Sequence, residues 1–456
     1  MRFALTAMVV DSIQIIFDRL RSRRDLPVLW ENGQEVSAAR LLAQADILAQ
    51  RLQQAGIAAG NVVGFCGDYG LATVSAFLAL FTLRAVAVPF STGAYSDLSV
   101  LAQEAQIEYW LDVETQAITS MRPMQADHPL LATLRASGNP GLIVFTSGSS
   151  GKPKAILHDV ARVAAKFSTP RKGWRMVLFL MIDHFGGFNT LLACLAYGGV
   201  GVCAVSRTPG DVCDAIARSK AELLPATPTF LSLLIASGSW RTHSLSSIQL
   251  VTYGAEPMPE STLKRLPTLF PAADFKQTYG LSELGVLQSA SPEKGSLWLR
   301  VGGRDFETKV VKGILHIRSK SSMLGYLNAA SPMDAEGWMN TGDMVEERDG
   351  LIRVTGRQSD VINVGGQKVF PVEVESVLLE YPLVSEATVY AIPHPVLGQV
   401  VGARLSLSSD LASSSGALAD IRAHCKSRLQ KFKVPMRFEL VGQEQHGSER
   451  GKKVRR

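Results

Sequence analysis

FTSGSSGKPK, residues 145–154, joins glycines, hydroxyls and lysines in one short loop, and the rest of the chain is best read outward from it. Gly148 and Gly151 free the backbone to bend and to approach a ligand closely. Thr146, Ser147, Ser149 and Ser150 bring hydroxyl donors of little bulk, and Lys152 and Lys154 bring positive charge. Successive backbone N–H groups in such a loop can line an anion-binding concavity, which suits a polyphosphate. The apolar run Leu142-Ile143-Val144-Phe145 predicts a buried strand that delivers the loop at a sheet edge. Taken alone, the loop reads equally as a Gly/Ser-rich linker. It is not a Walker A loop, which needs four residues between Gly and Gly-Lys and then Ser or Thr. Here Gly148 and Gly151 are too close, and Pro153 follows Lys152.

Helix and strand signals alternate around the loop. Ser37 can cap a helix whose apolar positions are Leu41, Ala45, Leu48 and Leu52, with Gly56 ending it. Residues 62–66 read as a strand, 71–84 as a helix, and 85–88 as a strand ended by Pro89. Further helices are predicted at 97–106, 160–167, 190–197, 212–219 and 228–236, and strands at 107–111, 177–182, 200–205 and 248–253. This alternation predicts an α/β fold of layered, largely parallel sheets. Beyond about Gly295, residues 313–318 and 350–354 look like hairpin strands of a smaller β region. The polar stretch 356–360 is a candidate hinge. Pro371 then suits the first turn of a helix, a strand covers 387–392, and a last helix carries Leu418, Ile421, Cys425 and Leu429.

Composition narrows the class. The 456 residues, 46% hydrophobic with 39 glycines, fit a globular protein with a sizeable core. A net charge of +6 suits anionic substrates without being a nucleic-acid signature. Five scattered cysteines (Cys66, Cys194, Cys203, Cys213 and Cys425), with no C-x-x-C, point away from disulfides and zinc and toward a reduced, cytoplasmic setting. Residues 3–10 lack the cleavage site of a signal peptide. The longest apolar run, 191–205, contains three glycines and is too short to span a membrane.

Four later segments carry chemistry. YGAEP (253–257) and TYGLSE (278–283) each follow a predicted strand, and ligands collect outside the carboxyl ends of strands in open α/β sheets. Glu283 could hold Mg²⁺ beside phosphates, or be a solvated loop acid. In GWMNTGD (337–343), Asp343 after a tight glycine turn could accept hydrogen bonds from ribose hydroxyls, or close a plain Asx turn. SERGKKVRR (448–456) is either a functional cationic ending or a solvated basic tail.

In this order the five segments resemble the adenylate-forming (ANL) superfamily of acyl-CoA synthetases, stand-alone adenylation enzymes and luciferases. FTSGSSGKPK is similar to its phosphate loop, with Ser150 at a usual Thr. YGAEP resembles the adenine motif and TYGLSE the YGxTE motif, with Ser282 for Thr. GWMNTGD is similar to the ribose motif, and GYLN (325–328) also fits. GRQSDVINVGGQKVFPVEVE (356–375) resembles the hinge and start of the mobile domain, and GKKVRR the GKxxRR ending. The resemblance runs from about residue 142 to the last residue. It implies a large N-terminal domain, 1–357, of layered mainly parallel sheets and helices with a β subdomain, and a small mobile α+β C-terminal domain, 358–456.

The resemblance also implies roles. Lys452 would be the catalytic lysine, a cation placed where charge builds during adenylation. Thr146, Ser147, Gly148, Ser149, Ser150, Gly151 and Lys154 would hold the ATP phosphates, and Glu283 the Mg²⁺. Gly254, Ala255, Glu256, Pro257, Thr278, Tyr279, Gly280 and Ser282 would line the adenylate. Asp343, assisted by Arg357, would bind ribose. Gly365, Gly366 and Lys368 would line a second site for thioester formation. His184 would gate the acyl pocket, with a satisfied core histidine as the alternative. Three departures stand out: Ser359 at a hinge position usually Asp or Lys, His446 at a usual proline, which predicts a looser loop there, and an ending at Arg456 directly after the motif, which predicts a mobile catalytic tail.

The expected reaction is ATP-dependent activation of a carboxylic acid as acyl-adenylate, then transfer to coenzyme A. The position that binds an α-amino group in amino-acid-activating relatives falls on Phe185. Tyr253, Phe185 and Tyr279 would make aromatic walls, favouring an aryl acid or a modest acyl chain. The alternative acceptor is the phosphopantetheine of an acyl carrier protein, which Arg428, Lys431, Lys433 and Arg437 could meet. A silent nucleic-acid-associated protein with a basic tail is the competing reading from another class; Lys452, Glu283 and Asp343 argue against it.

Overall fold

The computed structural model describes residues 12–93, 98–121, 126–147, 152–293, 295–303, 305–407, 416–442 and 445–446. Contacts divide the chain into two compact units, residues 1–203 with 320–331, and residues 204–319 with 332–456. The boundary expected after Arg357 falls inside the second unit, between the strand Leu351–Arg357 and the 3₁₀ turn Gln358–Asp360.

The first unit is built on a seven-stranded sheet in the order Gly325–Tyr326, Pro153–Asp159, Gly141–Ser147, Val86–Phe90, Val62–Cys66, Tyr109–Asp112, Ile118–Ser120. Its central strands are parallel. The strands Arg175–Val177, Val200–Val202 and Pro27–Glu31 form a second parallel run. Helix Ala38–Gln54 starts as its sequence predicts: Ser37 Oγ accepts from Arg40 N at 3.2 Å, and Leu41, Ala45, Leu48 and Leu52 are buried. Helix Leu71–Thr82 is apolar nearly all round and buried to match.

Several local expectations need correction, the first being the strand expected at 177–182, which is Arg175–Val177. The strand that begins at Val86 continues through Pro89 to Phe90, where Pro89 sits opposite Phe65 near the strand end and its missing N–H removes little pairing. The helix expected from residue 190 begins at Phe185, because His184 is its N-cap and Gly186-Gly187 hide the helical pattern. The strands on either side of the expected phosphate loop pair antiparallel, Gly141–Ser147 with Pro153–Asp159, Thr146 opposite Lys154 and Ser147 opposite Pro153. The second strand of this pair, buried from Ala155 onward, has no alternating polar pattern to announce it.

The second unit holds parallel strands Leu223–Ala226, Leu250–Tyr253 and Asp274–Gln277. Antiparallel strands between residues 279 and 357 surround a core of Leu284, Leu287, Leu299, Leu315 and Ile317. A five-stranded sheet follows from Ile362 to Leu440. Helices Pro371–Leu379 and Ala417–Arg428 belong to this last element group, whose core includes Val369, Leu378, Val389, Ala403 and Ile421. Among the described residues no helix is long and apolar enough to cross a membrane.

Candidate active site

In the first unit, the strand pair Gly141–Ser147 and Pro153–Asp159 is braced from outside. Asn328 Oδ1 accepts from Ala155 N at 2.9 Å, and Asn328 Nδ2 donates to Pro153 O at 2.9 Å. One amide thus grips the backbone on both sides of Lys154, whose Nζ lies 4.9 Å from the Tyr326 ring centroid. Thr146 is half-buried at the end of the first hairpin strand. Gly148, Ser149, Ser150 and Gly151 lie outside the described residues. No helix follows the loop, so it differs from loops that hold phosphate on a helix N-terminus.

In the second unit the two motifs YGAEP and TYGLSE leave the carboxyl ends of adjacent parallel strands, with Tyr253 opposite Gln277. Thr278 N donates to Tyr253 O at 2.7 Å. Gly254 is packed so closely that an added Cβ would lie 2.4 Å from Thr278 Oγ1 and 2.6 Å from its carbonyl oxygen. Ala255 holds φ +69°, a left-handed conformation unusual for a residue with a Cβ. Strain of this kind concentrates at ligand sites. Glu256 Oε2 accepts from Thr229 Oγ1 at 2.5 Å, in the first turn of helix Pro228–Ser237, so this acid has a structural task. Pro257 is half-buried just beyond it. Gly280 lies where a Cβ would meet Gly285 O at 2.7 Å, in the hairpin whose turn carries Ser282 and Glu283.

Asp343 is 6% exposed, and Arg357 stands directly opposite it on the neighbouring antiparallel strand. Arg357 Nε is 3.0 Å from Asp343 Oδ1, and Tyr279 Oη donates to Asp343 Oδ2 at 2.5 Å. Burial pushes the Asp343 carboxyl above its ordinary range, with Arg357 and the Tyr279 hydroxyl pulling it back only in part. Burial and the adjacent carboxylate hold Tyr279 well above the usual phenol range, so it stays a donor. Burial alone would lower Arg357, yet Asp343, Tyr279, Glu283 and Asp360 hold it above its ordinary value. Each Asp343 oxygen retains lone-pair capacity beyond the bonds described, which a vicinal diol can use.

Glu283 is half-buried. Among the described residues no group of three His, Cys, Asp or Glu side chains could by itself hold a metal. A single carboxylate fits Mg²⁺, which takes its other ligands from phosphate and water.

Gly365 and Gly366 form the two-residue turn between Ile362–Val364 and Gln367–Val369, with φ of +56° and +86°. They and Lys368 are exposed. Of the cations expected to meet the acceptor, Lys433 pairs with Glu373, Arg428 with Glu380 and Arg437 with Glu439. His184 is half-buried, Phe185 is buried with its ring centroid 4.6 Å from that of His158, and Tyr253 and Tyr279 are buried. Lys452 lies outside the described residues. His446, expected to loosen its loop, is 2% exposed and bonded at both ring nitrogens, to Thr388 Oγ1 at 2.8 Å and Ser406 Oγ at 3.0 Å. Sequence reasoning missed Asn328 as a brace; its only signal was its place in GYLN.

The AMP-binding enzyme family matches residues 16–327, and the AMP-binding enzyme C-terminal domain matches residues 373–452. A 2-succinylbenzoate–CoA ligase of Bacillus subtilis (strain 168) is 26% identical, over 91% of this chain and 91% of its own length. A medium/long-chain-fatty-acid–[acyl-carrier-protein] ligase of Mycobacterium tuberculosis is 27% identical over 66% of this chain and 62% of its own. In fold, the chain is similar to the crystal structure of an anthranilate CoA ligase, with a TM-score of 0.80 at 21% identity, covering 97% of this chain and 95% of the other. With both family segments matched in order, over residues 16–327 and 373–452, the chain belongs to the AMP-binding enzyme family of adenylate-forming ligases.

Proposed function

We propose that this ligase uses ATP to activate an aryl or medium-chain carboxylic acid as its acyl-adenylate, releasing pyrophosphate, and then forms the thioester with coenzyme A. The observation that carries the reading is Asp343, a buried carboxylate gripped by Tyr279 and Arg357, in a form suited to the ribose hydroxyls of ATP. The named relatives, a 2-succinylbenzoate–CoA ligase and an anthranilate CoA ligase, favour an aryl acid. The hairpin of residues 141–159 contributes phosphate donors, and Glu283 would hold Mg²⁺, which supplies charge neutralisation at the phosphates when bound. Lys452 supplies the cation of the first half-reaction, His184 guards the acyl pocket, and residues 358–456 swing about Gly356–Asp360 to bring Gly365, Gly366 and Lys368 into use for the second. We place the enzyme in the cytoplasm, in keeping with five free cysteines.

The test is acid-dependent ATP–pyrophosphate exchange over aryl, short, medium and long-chain acids. Exchange should appear with a subset of acids and vanish in Lys452→Ala, which should still convert supplied acyl-adenylate to thioester. Silence with every acid would sink the reading. The second reading, loading of an acyl carrier protein, draws on the relative named for that acceptor. Thioester yield with coenzyme A against yield with a holo-carrier protein separates the two.

A further inference from the structure

The first unit holds a buried carboxylate to which the adenylation reading gives no task. Asp183 is 1% exposed and immediately precedes His184, the N-cap of helix Phe185–Ala196. Ser91, also 1% exposed, donates its hydroxyl to Asp183 Oδ1 at 2.7 Å. Ser91 directly follows the strand Val86–Phe90, at the carboxyl end of a parallel run. The bond therefore ties a strand end to a helix start 92 residues away.

Two further contacts pin the same turn. Phe185 packs on His158 with ring centroids 4.6 Å apart. Gly187 lies so close to the preceding backbone that a Cβ would sit 2.0 Å from Met181 O, and His184 N donates to that same carbonyl at 3.1 Å. Removing a carboxylate from water is unfavourable unless hydrogen bonds and a positive field offset it. Ser91 provides the first, and the N-terminal end of the helix the second. Asp183 and Phe185, on either side of His184, are thus held by specific contacts, while the His184 side chain is half-buried at the helix start.

We infer that Asp183, through its bond to Ser91, is a positioning residue that sets how His184 is presented to the acid substrate and so tunes which acids are accepted. The inference rests on the acid-ligase reading.

The experiment compares wild type, Ser91→Ala, Asp183→Ala, Asp183→Asn and the Ser91→Ala/Asp183→Asn double variant. It measures pyrophosphate exchange with a graded set of aryl acids, alongside thermal unfolding. Ser91→Ala and Asp183→Ala should raise the KM for the acid about tenfold, the worth of one buried hydrogen bond, and leave the KM for ATP within about twofold. Asp183→Asn keeps an oxygen for the Ser91 hydroxyl and should recover to within about threefold of wild type. The double variant should be no worse than Ser91→Ala, because both changes act through one bond. An unchanged acid KM in both alanine variants would overturn the inference. So would acid and ATP KM values rising together with a fallen Tm, which marks a role in folding alone. A wild-type enzyme that exchanges with no acid would overturn the ligase reading, and this inference with it.

Discussion

Asp343 and Arg357 face each other across two antiparallel strands, with Nε 3.0 Å from Oδ1, although 14 residues separate them in the chain as paired positions 343 and 357. Burial outweighs this pairing, so the carboxyl of Asp343 lies above its ordinary 3.8. An acid whose folded-state pKa exceeds its unfolded value makes the fold bind the extra proton between the two values. Stability then falls as pH rises through that window and is level above it. Asp343→Asn removes this slope. The Tm of Asp343→Asn relative to wild type should therefore rise as pH climbs from about 4 and level off above the raised pKa of Asp343. Thermal unfolding across that range checks it; a relative Tm that falls with pH would mean Arg357 and Tyr279 outweigh burial.

The same carboxylate should govern nucleotide affinity. Charge-assisted hydrogen bonds contribute about 1.5–3 kcal/mol each, so Asp343→Ala should raise the KM for ATP by about tenfold to a hundredfold. Tyr279→Phe leaves the carboxylate and Arg357 in place and should cost less than about tenfold. Exchange kinetics at saturating acid resolve the two.

Asn328 offers a test of the phosphate hairpin without touching its loop. Asn328→Ala deprives Ala155 N and Pro153 O of their partner, beside a fully buried Ala155 side chain. Stability should fall by about 1–3 kcal/mol, with a raised KM for pyrophosphate in the exchange reaction. Denaturant unfolding and exchange kinetics measure the two effects; a loss of stability with unaltered pyrophosphate KM would limit Asn328 to folding.

Neighbouring residues 254 and 255 should respond in opposite directions. Gly254→Ala forces a Cβ to 2.4 Å from Thr278 Oγ1, and the displaced backbone should cost about 1–3 kcal/mol. Ala255→Gly relieves a left-handed conformation and should be neutral or stabilising by up to about 1 kcal/mol. Denaturant midpoints of the two variants give the answer.

His446 is predicted to anchor its segment with a proton on Nε2. Ser406 Oγ gives its only hydrogen to Val441 O at 2.7 Å, so toward His446 it must accept. Nδ1 is then free to accept from Thr388 Oγ1. His446→Ala takes the described side-chain partner from the buried Thr388 hydroxyl and one of two bonds from Ser406 Oγ, which keeps Val441 O, and should cost about 1–3 kcal/mol. Faster amide hydrogen exchange in strands Val384–His394 and Gly398–Leu407 would mark the loosened region; unchanged protection would refute the anchor. Nitrogen-15 chemical shifts of the ring read the tautomer directly.

Local sequence determined a good deal of this protein. A capped amphipathic helix such as Ala38–Gln54 follows from Ser37 and the spacing of its leucines, because hydrogen bonds and side-chain periodicity within one helix involve neighbours in the chain. The motifs at 145–154, 253–257, 278–283 and 337–343 were legible as short runs, and their order announced the family. Tertiary structure alone decided what those runs grip. That Gly141–Ser147 pairs with Pro153–Asp159, that Asn328 braces the second of these strands, that Glu256 caps a distant helix, that Asp183 is buried on Ser91 and that His446 is clamped between Thr388 and Ser406 all depend on strand register and on partners far apart in sequence. A polar residue looks the same in sequence whether water or a buried hydroxyl satisfies it. Only packing removes the water and makes the partner matter.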